Sequence, residues 1–483
     1  MRKIIIFLLL LAACSNLAPQ AAAPQPDAAV FNVLTHPDGA LYAGDRVSFE
    51  VYSPAETLPE QDSLEVSFAG KILGQENFAG YGMGGRNQAT FYWVWDTRGL
   101  TPGKYTLQFT LLPEKYTWEE IYILHPANQV PAPEPGAHWA TASSNCCILH
   151  YISGTDAETD LETLKKMLDS QAADVERRLG VKFKAPIPVT FLPRTLGQGG
   201  FTSDGIYISY LRQNYAGSTS AQVSHHELVH WLDSQVGGFR PSILQEGLAV
   251  YLSDGHFKIE PILPRAAALL QLGDYVPLRK LADSFYNSQH EAGYAESAAF
   301  IGYLVANQGW DKFSAFYRDI QPDKSNSDAD AIDQALQRHY GLTLDQVEQN
   351  FLDYLRRQEV SELTRRDVSL TISFYDTVRR YEKEMDPSAY FLTTWLPDVA
   401  VMRQENIVAD FLRHPDSIWN RTLEKLLVNG DIELRKANYD SAGRYILLVN
   451  RLLDLRDWLE IKKGSLFQEA FLGPVKILEP SSP

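Results

Sequence analysis

Apolar and polar residues alternate in short runs over residues 29–125. A period of two residues indicates β-strands with one buried face, and turn sequences such as Ala43-Gly44-Asp45 separate the runs. The predicted strands are Arg46–Tyr52, Ser63–Phe68, Gln88–Trp95, Lys104–Leu111 and Glu120–Leu124. Strands this short at this spacing predict an all-β, immunoglobulin-like sandwich.

Three aromatic residues in one of these runs lie two positions apart. Phe91, Trp93 and Trp95 therefore share one face of the predicted strand. We expect them in the core of the sandwich, because aromatic side chains bury large apolar areas. The alternative is an exposed face that stacks on sugar rings.

The pattern changes after a proline-rich segment, residues 126–136, which predicts a semi-rigid linker. Strand-like and helix-like segments then mix over residues 137–358, which predicts an α+β domain. Its clearest segments are a strand over Cys147–Ile152, a helix over Asp160–Leu179, a strand over Ile187–Leu192 and a helical hairpin over about Ala329–Arg357.

The last part of the chain, residues 359–483, has apolar positions at helical spacing among many charged residues. Helices are predicted over Leu363–Met385, Val399–Arg413 and Tyr439–Trp458. We therefore expect a mostly α-helical C-terminal domain after the sandwich and the α+β domain.

The overall composition is that of a folded, acidic protein. Hydrophobic residues make up 45% and aromatic residues 11% of the chain, which is enough for large cores. The length suggests about two to four domains. The formal net charge of −16 disfavours nucleic acid as a partner.

Residues 1–13 have the composition of a signal peptide. Two basic residues precede an apolar run, Ile4–Ala13, which is too short to span a bilayer. Leu11-Ala12-Ala13-Cys14 resembles a bacterial lipobox. The resemblance implies cleavage before Cys14 and acylation of that residue, whereas a plain secretory signal with an incidental cysteine is the alternative.

Residues 14–28 are rich in alanine, proline and glutamine and predict a flexible tether. We therefore expect an exported protein of the bacterial cell envelope. Its lipid anchor would lie in the outer membrane or in the outer leaflet of the cytoplasmic membrane.

Cys146 and Cys147 are the other two cysteines of the chain. Adjacent Cα atoms lie about 3.8 Å apart, which is shorter than the usual separation in a disulfide. We expect two buried thiols, with a strained vicinal disulfide as the alternative.

The strongest chemical pattern is His226-Glu227-Leu228-Val229-His230. Two histidines four residues apart share one face of a helix, so both imidazoles can bind one Zn²⁺. Glu227 on the same helix suits a general base that deprotonates the metal's water. An ordinary amphipathic helix with two hydrogen-bonded histidines is the alternative.

Glu246 is the expected third ligand. It lies in an otherwise apolar segment, Ser242–Leu252, where a buried carboxylate needs a partner. An exposed helix acid is the alternative. We expect Asp233 to contact a metal ligand rather than the metal itself. His225 faces another side of the helix from His226. No ligand-like pattern surrounds the remaining candidates, His256, His290 and His339.

These segments, HELVHW and LQEGLAVYL, resemble the gluzincin metallopeptidases. A third segment beginning at Tyr294 resembles a helix of aminopeptidase-N-like and peptidase-MA-like enzymes. The resemblance implies one Zn²⁺ per chain, held by His226, His230 and Glu246. It also implies Glu227 as the base and Tyr294 as the hydrogen-bond donor to the oxyanion.

A strand is predicted at Ile206–Leu211, just before the metal helix. In zinc peptidases of this kind, such a strand forms the sheet edge along which substrate lies. Ile206, Tyr207 and Ile208 are therefore substrate-binding candidates. An interior strand is the alternative.

These patterns predict a lipid-anchored zinc peptidase that hydrolyses a peptide or protein substrate. One alternative is a catalytically inactive surface protein that binds a glycan or a protein through the sandwich or the helical domain. Zinc-dependent hydrolysis of another bond is a third. A Gly-x-Met-x-Asn sequence does not precede the metal helix, so endo- and exopeptidase action both stay open, as does the oligomeric state.

Overall fold

The computed structural model describes residues 31–52, 62–113 and 116–472, with side chains described as far as residue 457. The predicted signal peptide, Cys14 and the tether lie outside these residues, so export and lipid anchoring stay predictions. Within the described part of the chain, no helix is both long enough and apolar enough to cross a bilayer.

Two β-sheets that share a hydrophobic core form the first region. The strands are β1 (Asn32–His36), β2 (Leu41–Tyr42), β3 (Arg46–Tyr52), β4 (Ser63–Phe68), β5 (Lys71–Asn77), β6 (Ala79–Tyr81), β7 (Arg86–Asp96), β8 (Gly103–Leu112) and β9 (Tyr116–His125). One sheet has the order β1-β3-β7-β6 and the other the order β2-β9-β8-β4-β5. Each predicted strand lies within an observed one, and the immunoglobulin-like class stays a prediction.

Trp93 leaves the sandwich core, which corrects the prediction for the three alternating aromatic residues. Phe91 and Trp95 are buried in that core. The pairing of β3 with β7 shifts between Val47 and Phe49, and Trp93 has a φ of 51°. This bulge breaks the alternation, so the Trp93 ring packs among residues of later regions instead.

An arginine of the C-terminal region joins the proline-rich segment to the sandwich. Arg413, from the C-terminal region, places its Nη1 2.6 Å from an Asp45 oxygen and its Nη2 2.8 Å from a Glu134 oxygen. Asp45 belongs to the sandwich and Glu134 to the segment. These charge-assisted hydrogen bonds hold the segment in place.

A mixed five-stranded sheet begins the middle region. Its strands are β10 (Trp139–Ser143), β11 (Cys147–Ile152), β12 (Ile187–Leu192), β13 (Gly200–Thr202) and β14 (Ile206–Ser209). Their order is β10-β11-β12-β14-β13. The three inner strands are parallel, and the two outer strands are antiparallel to their neighbours.

Helices surround this sheet and continue beyond it. They are α1 (Asp156–Thr159), α2 (Leu161–Leu179), α3 (Ser220–Val236), α4 (Ser242–Leu252), α5 (Ile262–Leu272), α6 (Leu278–Asp283), α7 (His290–Gln308), α8 (Trp310–Arg318), α9 (Asp328–Tyr340) and α10 (Leu344–Arg356). Helix α3 lies against β13 and β14, and α4 packs on α3 and α7. The predicted helical hairpin is present as α9 and α10.

Cys146 and Cys147 form a disulfide at the start of β11, with their Cα atoms 3.7 Å apart. Cys147 is buried in the core, whereas Cys146 is only partly buried. The prediction of two buried thiols is therefore wrong, and the vicinal disulfide is the alternative that the structure contains.

The C-terminal region is helical, as predicted. Its helices are α11 (Glu362–Met385), α12 (Val399–Glu405), α13 (Ala409–Leu412), α14 (Ile418–Arg435) and α15 (Tyr439–Leu472). The predicted helix over 399–413 is interrupted, because Asn406 adopts a left-handed conformation that ends α12. Helix α14 was not predicted.

Candidate metal centre

Helix α3 carries both histidines of the motif. Thr219 caps its first turn by accepting a hydrogen bond from the Gln222 backbone N–H. Leu228, Val229 and Leu232 are buried and fix the rotation of the helix about its axis. The opposite face of α3 presents the His226 and His230 imidazoles to a cavity.

Glu246 reaches the same point from α4. The next residue, Gly247, lets α4 pack closely on α7, because a Cβ there would lie 2.8 Å from the Ser297 carbonyl oxygen of α7. One Glu246 oxygen, Oε2, lies 3.1 Å from His226 Nε2 and 3.2 Å from His230 Nε2. The two Nε2 atoms are 3.0 Å apart.

This triangle of donor atoms fits a zinc ion. Ligand atoms at tetrahedral zinc, each roughly 2.0–2.1 Å from the metal, lie about 3.3 Å from one another. Two imidazole nitrogens and one carboxylate oxygen are also a donor set that zinc enzymes use. The sequence placed the metal ligands at His226, His230 and Glu246, and the structure brings these three side chains together.

The charges of the triangle also favour a cation. Although burial raises it, the histidines hold the pKa of Glu246 well below its ordinary value. Burial lowers the pKa of His226 to about 4, so that ring is a neutral donor. Burial also opposes charge on His230, but the Glu246 carboxylate raises its pKa to about 9. The ionised Glu246 carboxylate therefore lies beside the two imidazoles, and this arrangement favours the binding of a cation.

Glu227 lies next to the triangle, also on α3. Its Oε2 accepts a hydrogen bond of 2.8 Å from the Thr202 hydroxyl on β13. Burial raises the pKa of Glu227 to about 7. Gly200 lets β13 come this close, since a Cβ there would lie 2.7 Å from a Val223 methyl group. Thr202 had no sequence signal, because its role depends on this contact between strand and helix.

Tyr286 is a second residue that the sequence analysis missed. Its hydroxyl donates a hydrogen bond of 2.7 Å to Oε1 of Glu246, the oxygen that faces away from the histidines. The residue lies in a short turn, Phe285–Asn287, between α6 and α7. Hydrogen bonds of this kind orient metal-binding carboxylates.

Tyr294 lies on α7 and lines the same cavity. Its ring centroid is 6.3 Å from that of His226. Burial and the nearby Glu246 raise the pKa of Tyr294 well above its ordinary value, so its hydroxyl stays protonated. The ring of Tyr294 therefore lies near the triangle and also packs in the hydrophobic core of the middle region.

His256 and His290 also line the cavity, although neither has a ligand-like sequence pattern. The His256 ring stacks on Tyr294 at 4.0 Å, and its Nδ1 lies 2.9 Å from a Glu291 oxygen. His290 packs against the Phe391 ring at 4.6 Å. Only the folded structure shows that these two histidines line the cavity.

Three other candidate residues do not join the triangle of ligand atoms. His225 contacts Ser253 and Asp174 on another side of α3, as its angle around the helix predicts. Asp233 accepts a hydrogen bond from Tyr317. His339 pairs with Asp319.

The substrate-binding expectation for Ile206, Tyr207 and Ile208 needs correction. Their strand, β14, lies between β12 and β13, and all three side chains are buried. Among the described strands, none pairs with the outer edge of β13 (Gly200–Thr202), whose residues line the cavity. The sequence did not predict β13, because this short strand lies in a segment rich in turn-forming residues.

A second group of possible ligands occurs among the described residues, at Asp386, His414 and Glu424. Tyr215 donates a hydrogen bond to Asp386, and Tyr381 donates one to Glu424. His414 Nε2 lies 2.8 Å from the same Glu424 oxygen. Asp386, Glu424 and His414 Nε2 therefore all have hydrogen-bond partners within the protein.

A cavity of about 370 Å³ opens beside the triangle. Its walls come from the sandwich, the middle region and the C-terminal region. They include Met83, Phe201, Thr202, His256, Phe391 and Leu392. The lining combines apolar side chains with convergent histidine, glutamate, glutamine and tyrosine side chains, and concave sites with convergent polar groups are where small substrates usually bind.

No protein-family model matches the chain, and no curated protein matches it. Among solved structures, the chain is similar to an aminopeptidase N family protein from Idiomarina loihiensis. The two have 10% sequence identity and a TM-score of 0.27, and the match covers 67% of this chain and 76% of that one. A likeness at this distance assigns no residue roles.

Proposed function

We propose that the protein is a zinc-dependent peptidase. The observation that carries the proposal is the convergence of His226, His230 and Glu246 on one point, with Glu227 beside it and a cavity in front. When bound there, a zinc ion would polarise the attacking water and the substrate carbonyl group.

In this proposal Glu227 is the general base. Its carboxylate accepts a proton from the attacking water and delivers it to the leaving amine. The hydrogen bond from Thr202 holds Oε2 in place, which directs Oε1 to the proton transfer. The Tyr294 hydroxyl donates a hydrogen bond to the carbonyl oxygen as negative charge develops there.

The substrate backbone would lie along the free edge of β13. An extended peptide can pair with an exposed strand edge through main-chain hydrogen bonds. Support comes from the position of Gly200–Thr202 at the sheet edge and in the cavity wall. This edge replaces Ile206, Tyr207 and Ile208 as the proposed backbone-binding element.

Zinc binding tests this proposal. We expect one zinc ion per purified chain, and we expect His230→Ala to lose it because two ligands bind zinc far more weakly than three. His339→Ala, which changes a histidine away from the cavity, is the matched control and should keep its zinc. A folded wild-type protein that takes up no zinc would refute the proposal.

The cavity supports an enzyme over the alternative of an inactive binding protein. Met83 of the sandwich and Phe391 of the C-terminal region both line it. The parts of the chain outside the peptidase-like segment therefore help to build the proposed active site.

We also propose that the enzyme is exported and anchored by lipid on Cys14, because residues 1–14 resemble a bacterial lipoprotein signal. Membrane fractionation of a Cys14→Ser variant tests this part separately. The variant should move to the soluble fraction, and a variant that stays with the membrane would contradict lipid anchoring.

A further inference from the structure

The segment Pro387–Leu396, the wall segment, follows α11 and forms one side of the cavity. Phe391, Leu392, Thr394 and Leu396 line the cavity directly. It belongs to the C-terminal region, yet it lies between the sandwich and the middle region.

One side of the wall segment is fixed to the loop before β13. The Thr394 hydroxyl donates a hydrogen bond of 2.8 Å to the Leu196 carbonyl oxygen. The backbones also approach closely, because a Cβ on Gly197 would lie 2.1 Å from the Ala389 carbonyl oxygen. Only glycine fits at such a contact without a shift of the backbone.

The other side of the wall segment is fixed to the turn between β6 and β7 of the sandwich. The Gly84 N–H donates a hydrogen bond of 2.9 Å to the Leu392 carbonyl oxygen. The Leu396 N–H donates one of 2.9 Å to the Tyr81 hydroxyl. A Cβ on Gly82 would lie 2.3 Å from the Leu392 carbonyl oxygen.

Two further contacts anchor the wall segment near its ends. Trp395 is fully buried, and its ring stacks on His36 of β1 at 3.8 Å. Arg194 of the middle region donates a hydrogen bond to the Ser388 hydroxyl. The wall segment is therefore a packed part of the structure with partners in all three regions.

We propose that the wall segment limits the substrate to short peptides. This inference rests on the proposed peptidase function and adds the substrate class. The cavity of about 370 Å³ is at the small end of ligand pockets, which span roughly 300–1,000 Å³. In this proposal a few substrate residues fill the cavity, and the packed wall segment keeps a longer chain or a folded protein from entering it.

Two peptides with the same scissile sequence test the proposal, one short and one long and unstructured. For the wild-type protein, we expect kcat/KM for the short peptide to exceed that for the long one at least about tenfold, as steric fit in a pocket often achieves. Equal cleavage of both peptides would overturn the inference and leave the peptidase intact. Cleavage of neither would refute the peptidase itself.

Matched glycine variants then assign the effect to the wall segment. Gly82→Ala and Gly85→Ala both place a side chain at positive φ in the same turn, but only the first meets the wall segment. Gly82→Ala should raise kcat/KM for the long peptide relative to the short one, whereas Gly85→Ala should leave the ratio unchanged. Equal ratios in both variants would contradict a role of the wall segment.

Leu392→Ala gives a second, independent opening of the cavity. It removes a side chain that lines the cavity without adding a steric clash in the turn. Thermal unfolding confirms that the variant is folded. A folded Leu392→Ala protein that keeps the wild-type preference for the short peptide would count against the proposal.

Discussion

Glu246 divides its two carboxylate oxygens between different partners. Oε2 faces the two histidines, and Oε1 accepts the Tyr286 hydroxyl. The tyrosine therefore fixes the orientation of the oxygen that would bind zinc. At this scale the HExxH spacing and Glu246 were readable from the sequence, because helix geometry places residues four apart on one face. Tyr286 and Thr202 were not, since distant parts of the chain bring them in.

Tyr286→Phe tests the role of this hydrogen bond. Removing the hydroxyl leaves Glu246 less well oriented, and we expect zinc affinity to fall about 10–100-fold, as for other partners of metal ligands. Competition with a chelator measures the change. Tyr303→Phe, on α7, is the control and should bind zinc like the wild type. Unchanged affinity in Tyr286→Phe would show that the packing of Glu246 alone orients it.

The local sequence pattern predicted most strands and helices correctly. The wrong predictions concern the order of strands in a sheet and the point at which a helix is interrupted. Strands β3, β4, β11 and β12 have the predicted bounds, because each is a short run rich in apolar residues with turn or loop residues on either side. Whether β14 is an edge or an interior strand depends on β13, a partner too short to show alternation. The break between α12 and α13 follows from Asn406, a residue that tolerates the left-handed conformation.

Helix α13 inserts a carboxyl group between the regions. Asp410 is fully buried and accepts a hydrogen bond from the Trp93 indole N–H. Burial raises its pKa to about 6, although His36 and Arg194 oppose this effect. Asp38 acts in the same direction as burial. The folded state therefore binds a proton at Asp410 more tightly than the unfolded state does.

Asp410→Asn should stabilise the protein at neutral pH. The pKa of Asp410 is higher in the folded state than in the unfolded state. Its contribution to the stability of the fold is therefore most favourable below about pH 4, and this contribution is lost as the pH rises through 6. The ionised group then costs roughly 1–3 kcal/mol at pH 7, which the amide avoids. Denaturant unfolding at several pH values measures this difference. Exposed Asp416→Asn is the control, and a variant less stable than wild type at pH 7 would contradict the argument.

The whole molecule places three regions around one cavity. The middle region supplies the metal triangle, Glu227 and the free edge of β13. The sandwich and the C-terminal helices supply the turn at Gly82–Gly85 and the wall segment. Sequence patterns identify the regions separately, but the contacts that join them involve single residues such as Trp395, which have no periodic signal.

Peptide cleavage tests the central claim most directly. A soluble fragment starting near Pro26 would be incubated with a mixed peptide library, with zinc and after chelation, beside Glu227→Gln and the exposed control Glu359→Gln. Mass spectrometry identifies every cut. We predict cuts that need zinc and that fall about 10²–10⁴-fold in Glu227→Gln, because the general base is lost. Cuts that survive chelation, or a Glu227→Gln variant as active as wild type, would contradict the assignment.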